Sequence, residues 1–264
     1  MRHDLRAEGL SLGYDERTVV SELSVAVPDG AITVIVGANA CGKSTLLRGL
    51  ARLLKPQAGA VMLDGISVTD MRSIELAKVL GLLPQSPVAP DGITVGDLVG
   101  RGRYPHQGWF RRWTAEDQAA VAAALEATDT VSLIDRRIQD LSGGQRQRIW
   151  VAMALAQDTD LLLLDEPTTF LDIAHQVELL DLLTDLNRER GKTIVIVLHD
   201  LNLASRYADH LIAMKSGRIV AEGKPQGVVT PEVVREVFGL ACEIVPDPVS
   251  GTPMVVPRGR HHGG

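Results

Sequence analysis

The stretch Ala31-Ile32-Thr33-Val34-Ile35-Val36 runs straight into Gly37-Ala38-Asn39-Ala40-Cys41-Gly42-Lys43-Ser44-Thr45 and on into Leu46-Leu47-Arg48-Gly49-Leu50. The first six residues are continuously apolar or β-branched, the pattern of a strand buried on both faces. Leu46, Leu47, Leu50, Leu53 and Leu54 recur on one face of a helix, so a helix is expected from about Lys43. Between them stands the spacing G-x-x-x-x-G-K-[ST], in the strand–loop–helix setting that this motif requires. Its glycines let the backbone curl so that successive N–H groups face phosphate oxygens, and the helix start adds partial positive charge. Lys43 supplies a point charge for the β- and γ-phosphates, and the Ser44 hydroxyl can ligate Mg²⁺. All nine residues of the loop, Gly37 to Thr45, are candidates for holding a nucleotide. Cys41 occupies a variable position. Its plain reading is a small buried side chain; the alternative is a reactive thiol, which alkylation would block and nucleotide would protect.

Working outward, residues 10–14 and 19–27 read as strands before the turn Pro28-Asp29-Gly30. Residues 61–63 form another strand, ended by Asp64-Gly65, and 79–83 a further one that stops at Pro84-Gln85. From about 86 to 157 the pattern is helical with Gly- and Pro-rich loops, and Thr114-Ala115-Glu116-Asp117 is a capping box for an Ala-rich helix. Strands resume at 161–164 and 193–198. They flank a helix over 172–190 whose Ile173, Val177, Leu180, Leu183 and Leu186 are expected to face the core. A hairpin closes around Ser216-Gly217, and Thr230-Pro231 opens a last helix with proline at its first position. Residues 242–256 are expected to form a hairpin across Ser250-Gly251. The plan is an α/β nucleotide-binding core, about 1–86 and 158–240, interrupted by a helical subdomain at about 87–157. A short extension and tail follow at 241–264.

The bulk composition bounds the rest. The chain has 264 residues, 45% hydrophobic and 23% charged, which suits one globular unit with a modest insertion and excludes wholesale disorder, collagen and coiled coil. Only nine residues are aromatic, so the core must be built from Leu, Val, Ile and Ala. The net charge of −6 argues against a protein devoted to wrapping nucleic acid. Cys41 and Cys242 are far apart and fit neither a metal spacing nor a disulfide framework, as in a reducing cytosol. No secretory signal opens the chain and no apolar run is long enough to span a bilayer, so a soluble protein is expected.

Two further motifs carry chemistry. Leu161-Leu162-Leu163-Leu164-Asp165-Glu166 is a buried strand ending in two carboxylates. One acidic group is needed to hold Mg²⁺ through its water shell, and a second can orient or deprotonate an attacking water. Neighbouring strand residues point to opposite faces, so Asp165 and Glu166 can divide those roles. Leu141-Ser142-Gly143-Gly144-Gln145 places an N-cap serine before two glycines. Glycine at a helix start gains nothing for stability, at about 1 kcal/mol each inside a helix, but lets backbone N–H groups approach an anion. With one phosphate site already filled by the Gly37–Thr45 loop, this second one needs a different partner.

Taken together, these motifs resemble the ATP-binding subunits of ABC transporters, with a Walker A at 37–45, a signature at 141–145 and a Walker B ending at Asp165-Glu166. The resemblance covers about residues 5–240. It implies the ABC ATPase fold: a P-loop NTPase core with an antiparallel β subdomain and an inserted α-helical subdomain. It also implies a head-to-tail homodimer that sandwiches two ATP, each between the Walker A of one subunit and the signature residues Ser142, Gly143, Gly144 and Gln145 of the other. On this resemblance Tyr14 stacks on adenine and Gln85 touches Mg²⁺ or the attacking water. Asp165 and Ser44 serve the metal, and Glu166 activates water. Asp172 belongs to the dimer-facing D-loop, and His199 contacts the γ-phosphate.

The motifs Gly102-Arg103-Tyr104-Pro105-His106, Thr168-Thr169-Phe170-Leu171-Asp172-Ile173-Ala174-His175-Gln176 and Leu198-His199-Asp200-Leu201-Asn202 look like those of ATPases serving iron–siderophore import, with heme and cobalamin importers as close relatives. The partners so implied are integral-membrane permease subunits and, indirectly, a substrate-binding protein, with the chain docked on the cytoplasmic face of the cell membrane. Residues 101–113 hold four arginines (101, 103, 111 and 112) and four of the nine rings (Tyr104, Trp109, Phe110 and Trp113). Composition alone would suit single-stranded nucleic acid; a permease interface, rich in Arg and Trp, is the favoured reading over a solvated loop. The rivals are a non-transport ABC ATPase acting on nucleic acid and an exporter ATPase.

Overall fold

The structure, a computed structural model, describes residues 3–107 and 113–259. They form two compact units, one of residues 3–70 with 193–259 and the other within 71–192. In chain order the first unit opens with β1 (Leu5–Tyr14), β2 (Arg17–Val27), β3 (Ile32–Gly37), α1 (Lys43–Leu50), β4 (Ala58–Leu63) and β5 (Ile66–Ser67). The second unit holds α2 (Ser73–Val79), β6 (Leu80–Leu83), α3 (Val95–Gly100), α4 (Ala115–Ala127), α5 (Gly143–Ala156), β7 (Leu161–Asp165) and α6 (Ile173–Arg190). The chain then returns to the first unit with β8 (Thr193–Val197), α7 (Leu201–Tyr207), β9 (His210–Lys215), β10 (Arg218–Gly223), α8 (Pro225–Val228), α9 (Pro231–Phe238), β11 (Cys242–Pro246) and β12 (Pro253–Pro257).

The first unit contains two layers of sheet. In one, β1 pairs antiparallel with both β2 and β4, and β5 extends β4. In the other, β3 lies parallel between β8 and β9, and β10 closes on β9 as an antiparallel hairpin. Every residue of β3 and β8 is buried, as continuous apolar runs in a parallel sheet require. Ser216 and Gly217 both take left-handed backbone angles (φ 48° and 77°), which suits the tight turn of a two-residue hairpin.

Helix α1 ends sooner than its leucine pattern predicts. Leu46, Leu47 and Leu50 are buried, but Arg52 takes a left-handed φ of 58° and breaks the helix. Leu53 lies beyond the break and is 65% exposed. The last helix starts as expected, with Thr230 accepting from Val233 N and Pro231 at the first position. The hairpin at the end of the chain also forms, with Cys242 opposite Pro257 and Pro246 opposite Pro253.

In the second unit β6 and β7 pair parallel. The Thr114 capping box is complete: Asp117 N donates to the Thr114 hydroxyl and Thr114 N to the Asp117 carboxylate. In α6 the buried face is Leu179, Leu180, Leu183 and Leu186, while Val177 is half-buried and Ile173 is 80% exposed. The stripe expected from periodicity therefore starts late, because the first turn of α6 projects past the apolar surface that covers the rest. Trp150, in the middle of α5, is buried, so one of the nine rings does serve the core.

The arginine and aromatic stretch divides on inspection. Trp109, Phe110, Arg111 and Arg112 lie outside the described residues. Tyr104 and Trp113 are half exposed and Arg101 is exposed. Arg103 is not a surface residue: it is 2% exposed, its Nε donates to Asp117 Oδ1 at 2.9 Å and its Nη1 to the carbonyl of Ala156 at 2.9 Å. Burial pushes the Asp117 carboxyl up, but hydrogen bonds from Arg103 and Thr114 outweigh it and hold it below its usual range. One carboxylate thus closes the cap of α4 and neutralises the buried guanidinium. Removing one partner of a buried ion pair leaves the other uncompensated. Arg103→Met should lower unfolding stability by about 3 kcal/mol in urea titration, and Arg103→Lys should lose less.

Candidate active site

In the first unit, β3 delivers the chain to the phosphate loop at Gly37, which pairs with Met214 on β9. A Cβ at Gly37 would lie 2.3 Å from the Met214 carbonyl oxygen and 2.7 Å from Cys41 Sγ, so only glycine fits. The far side of the loop is held by the β9–β10 turn: Gly217 N donates to the Cys41 carbonyl at 2.8 Å, and Ser21 N donates to the Gly217 carbonyl at 3.2 Å. A Cβ at Gly217 would lie 2.0 Å from the Val19 carbonyl oxygen, so this brace also depends on glycine.

The loop ends at Gly42, the N-cap of α1, which has no side chain to occupy the helix's first N–H groups. A helix start capped this way can present backbone N–H groups to an anion. Lys43 is buried, and its Nζ donates to the carbonyls of Gly37 at 2.9 Å and Ala38 at 3.1 Å. The loop's own oxygens thus hold the ammonium against the loop backbone. Ser44 and Thr45 follow in the first turn of α1. Tyr14 ends β1 with its ring 42% exposed and its hydroxyl accepting from Arg48 Nη1 at 3.0 Å; it is not the core residue that a strand position alone would allow. His199 is exposed just after β8, and the next residue, Asp200, caps α7 by accepting from Asn202 N and Leu203 N.

In the second unit, β7 is buried throughout and ends at Asp165. Glu166 then takes a left-handed φ of 53°. Such strain in a non-glycine residue persists only where its surroundings hold it, and it concentrates at functional sites. Gln85 follows β6, the neighbouring strand, and its Nε2 donates to Glu166 Oε2 at 2.7 Å. The structure therefore joins two residues that are 81 positions apart in sequence. The Gln147 side chain donates to the Pro167 carbonyl at 2.9 Å, tying the helix of the signature to the turn after Glu166. Sequence reasoning missed Gln147, which stands among the polar residues Gln145, Arg146 and Arg148 and is buried where a solvated side chain is expected.

Ser142 and Gln145 form a reciprocal capping box at the start of α5. A Cβ on Gly143 or Gly144 would make only ordinary contacts, at 3.6 Å, with Phe170 and Leu171. Nothing in the chain's own packing demands these glycines, in contrast to Gly37 and Gly217. Asp172 caps α6 by accepting from His175 N at 3.0 Å and from its Nδ1 at 2.8 Å. The bonds from His175 hold the Asp172 carboxyl below its usual range. From sequence His175 entered only as part of the 168–176 motif; its pairing with Asp172 follows the pattern of an N-cap aspartate with a histidine three residues on.

The thiol of Cys41 is buried, and that burial pushes its pKa up against the opposing pull of Lys43. These surroundings fit a small buried side chain and work against thiolate formation. In the folded protein at neutral pH, N-ethylmaleimide should modify Cys41 at least about tenfold more slowly than in urea, as read by mass spectrometry.

Residues 20–169 match the ABC transporter family, and the chain belongs to it. It is an ABC ATPase, an enzyme that binds and hydrolyses ATP. Among curated relatives, the ferric enterobactin transport ATP-binding protein FepC of Escherichia coli (strain K12) is 56% identical over 97% of this chain and 94% of its own. The siderophore transport system ATP-binding protein YusV of Bacillus subtilis (strain 168) is 54% identical over 97% of this chain and 93% of its own. Among solved structures, an inward-facing metal-chelate type ABC transporter superposes with a TM-score of 0.82 at 29% identity, covering 99% of both chains. The dimeric post-hydrolysis cassette MJ0796 bound to ADP and Pi gives 0.75 at 28% identity, covering 83% of this chain and 98% of its own. The ABC ATPase fold expected from the motifs is therefore the fold of this chain.

Proposed function

We propose that this ATPase powers the import of ferric siderophores through a membrane permease. More than half of its residues are identical to those of FepC and YusV over nearly the full length. The single observation that carries the chemistry is the 2.7 Å bond between Gln85 and the strained Glu166. Glu166 takes a proton from water as that water attacks the γ-phosphorus, and the bond to the β-phosphate oxygen breaks to release ADP and phosphate. Gln85 orients the carboxylate and the water. Lys43 exchanges its carbonyl partners for phosphate oxygens, His199 meets the γ-phosphate, and Tyr14 stacks on adenine.

On the motif reading the Ser44 hydroxyl, the Asp165 carboxylate and the Gln85 amide oxygen would hold Mg²⁺, being hard oxygen donors of the kind that ion takes. Bound there, it would neutralise phosphate charge.

Two copies close head to tail, with Ser142, Gly143, Gly144 and Gln145 of one facing the nucleotide of the other and Asp172 at the seam. The glycines at 143 and 144 support this reading, since the local packing does not require them and a backbone without side chains lets an anion from outside the chain approach closely. No helix among the described residues is long and apolar enough to cross a membrane. The chain docks from the cytoplasmic face on permease subunits, through the surface bearing Tyr104 and Trp113, and serves a substrate-binding protein indirectly. In domain terms the core comprises about 1–86 and 158–240, with the helical subdomain between.

Glu166→Gln should keep ATP binding, lower hydrolysis by at least about a hundredfold and elute as a dimer with ATP on size exclusion. Lys43→Ala should bind nucleotide poorly, and chelation of Mg²⁺ should abolish turnover of the unaltered protein. A Glu166→Gln protein with near-normal turnover would refute the role of the base. In cells relying on the chain, Lys43→Ala should stop uptake of radiolabelled ferric siderophore; normal uptake would remove the transport assignment.

A further inference from the structure

The motif chemistry makes no use of the hairpin of β11 and β12. That hairpin does not hang free. β12 packs against α7, whose inner residues Ala204 and Ser205 are buried and which also contacts β3, the strand that feeds the phosphate loop. Two clasps join hairpin and helix. The Asn202 side chain donates from Nδ2 to the Val255 carbonyl at 3.3 Å and accepts from Val255 N at 2.7 Å, pairing with that residue as a strand would. One turn further along the same face, Arg206 Nη2 donates to Asp247 Oδ2 at 2.5 Å. Asp247 is itself buried, and its other oxygen accepts from Val249 N and Ser250 N in the hairpin turn. Together with the Arg206 bond, these hold its carboxyl down to about 2, so the clasp is ionised at any physiological pH.

Helix α7 has seven residues, too few to be stable without tertiary support. Its first residue follows Asp200, and Asp200 follows His199. Asn202 is bound at both ends of this relay: its backbone N–H donates to Asp200 Oδ1 at 2.8 Å, while its side chain holds β12. The path from His199 to the hairpin is therefore one peptide bond, one cap and one amide clasp.

We propose that the C-terminal hairpin, acting through Asn202 and Arg206, fixes α7 and thereby aims His199, so that both residues are positioning residues for ATP hydrolysis. The proposal rests on the reading of His199 as the γ-phosphate contact. A group aimed at a transferring phosphate loses much of its effect when displaced by a fraction of an ångström to an ångström, whereas nucleotide binding rests on the separate phosphate loop.

The test uses the full-length chain and measures steady-state ATPase kinetics and binding of a fluorescent ATP analogue. Asn202→Ala and Arg206→Ala should each lower kcat by about tenfold, with the ATP KM and the analogue Kd within about twofold of the unaltered protein. Arg206→Lys should recover most of the loss. In a His199→Ala background, itself at least about tenfold slower, the two alanine variants should cost nothing further, the non-additivity expected of residues acting through one group. Unchanged kcat in both single variants, parallel loss of nucleotide affinity, or losses that add to that of His199→Ala would overturn the proposal. An unchanged kcat in His199→Ala alone would instead locate the failure in the histidine's assignment and remove the proposal with it.

Discussion

The first unit depends on how closely two backbones can approach at the mouth of the phosphate loop. Gly37 and Met214 are paired positions on parallel strands, and a side chain on the former would collide with the carbonyl of the latter. Across the loop, Gly217 wedges against Val19 and donates to the Cys41 carbonyl. The loop's N–H groups are thus aimed by the sheet and the β9–β10 hairpin as much as by the loop itself. An anion site made of backbone must be rigid before the anion arrives, because flexible amides would lose on ordering much of what they gain on binding. Lys43, held by two loop carbonyls, serves the same end by keeping its charge in place.

A different constraint governs the second unit. Glu166 must leave a fully buried strand and turn at once, which forces its left-handed backbone. The turn is secured on both sides, by Gln85 on the side chain and by Gln147 on the neighbouring Pro167 carbonyl. Both glutamines offer a neutral amide, so neither adds a charge that would neutralise the carboxylate. Together the two bonds fix the direction of the Glu166 carboxylate and the turn that follows it.

The scarcity of aromatic residues takes on a sharper meaning with the fold in view. The core of the first unit is aliphatic, with Leu5, Leu10, Leu12, Ile35, Leu46 and Leu47 fully buried. Tyr14, Tyr104, Trp113 and Phe170 all reach solvent, while Trp150 does not. Arginine in the same neighbourhood obeys no such rule: Arg103 is consumed by Asp117, although its sequence setting is that of a contact surface.

Strand and helix types, the phosphate loop, the paired carboxylates and the hairpin turns were readable along the chain, because each depends on local periodicity, on turn chemistry or on a motif of adjacent residues. The Ser142 and Thr114 caps and the Pro231 helix start are local in the same sense. What could not be read were pairings between distant residues: Gln85 with Glu166, Arg103 with Asp117, and Asn202 and Arg206 with the C-terminal hairpin. The early break of α1 and the exposure of Ile173 belong to that second group, since a hydrophobic stripe records which residues could be buried but not where the covering surface ends. The chain's order of residues specifies its local conformations and its stock of chemical groups; which of those groups meet is set by the packing of strands and helices, since hydrogen bonds and ion pairs act over a few ångströms of space, whatever the separation along the chain.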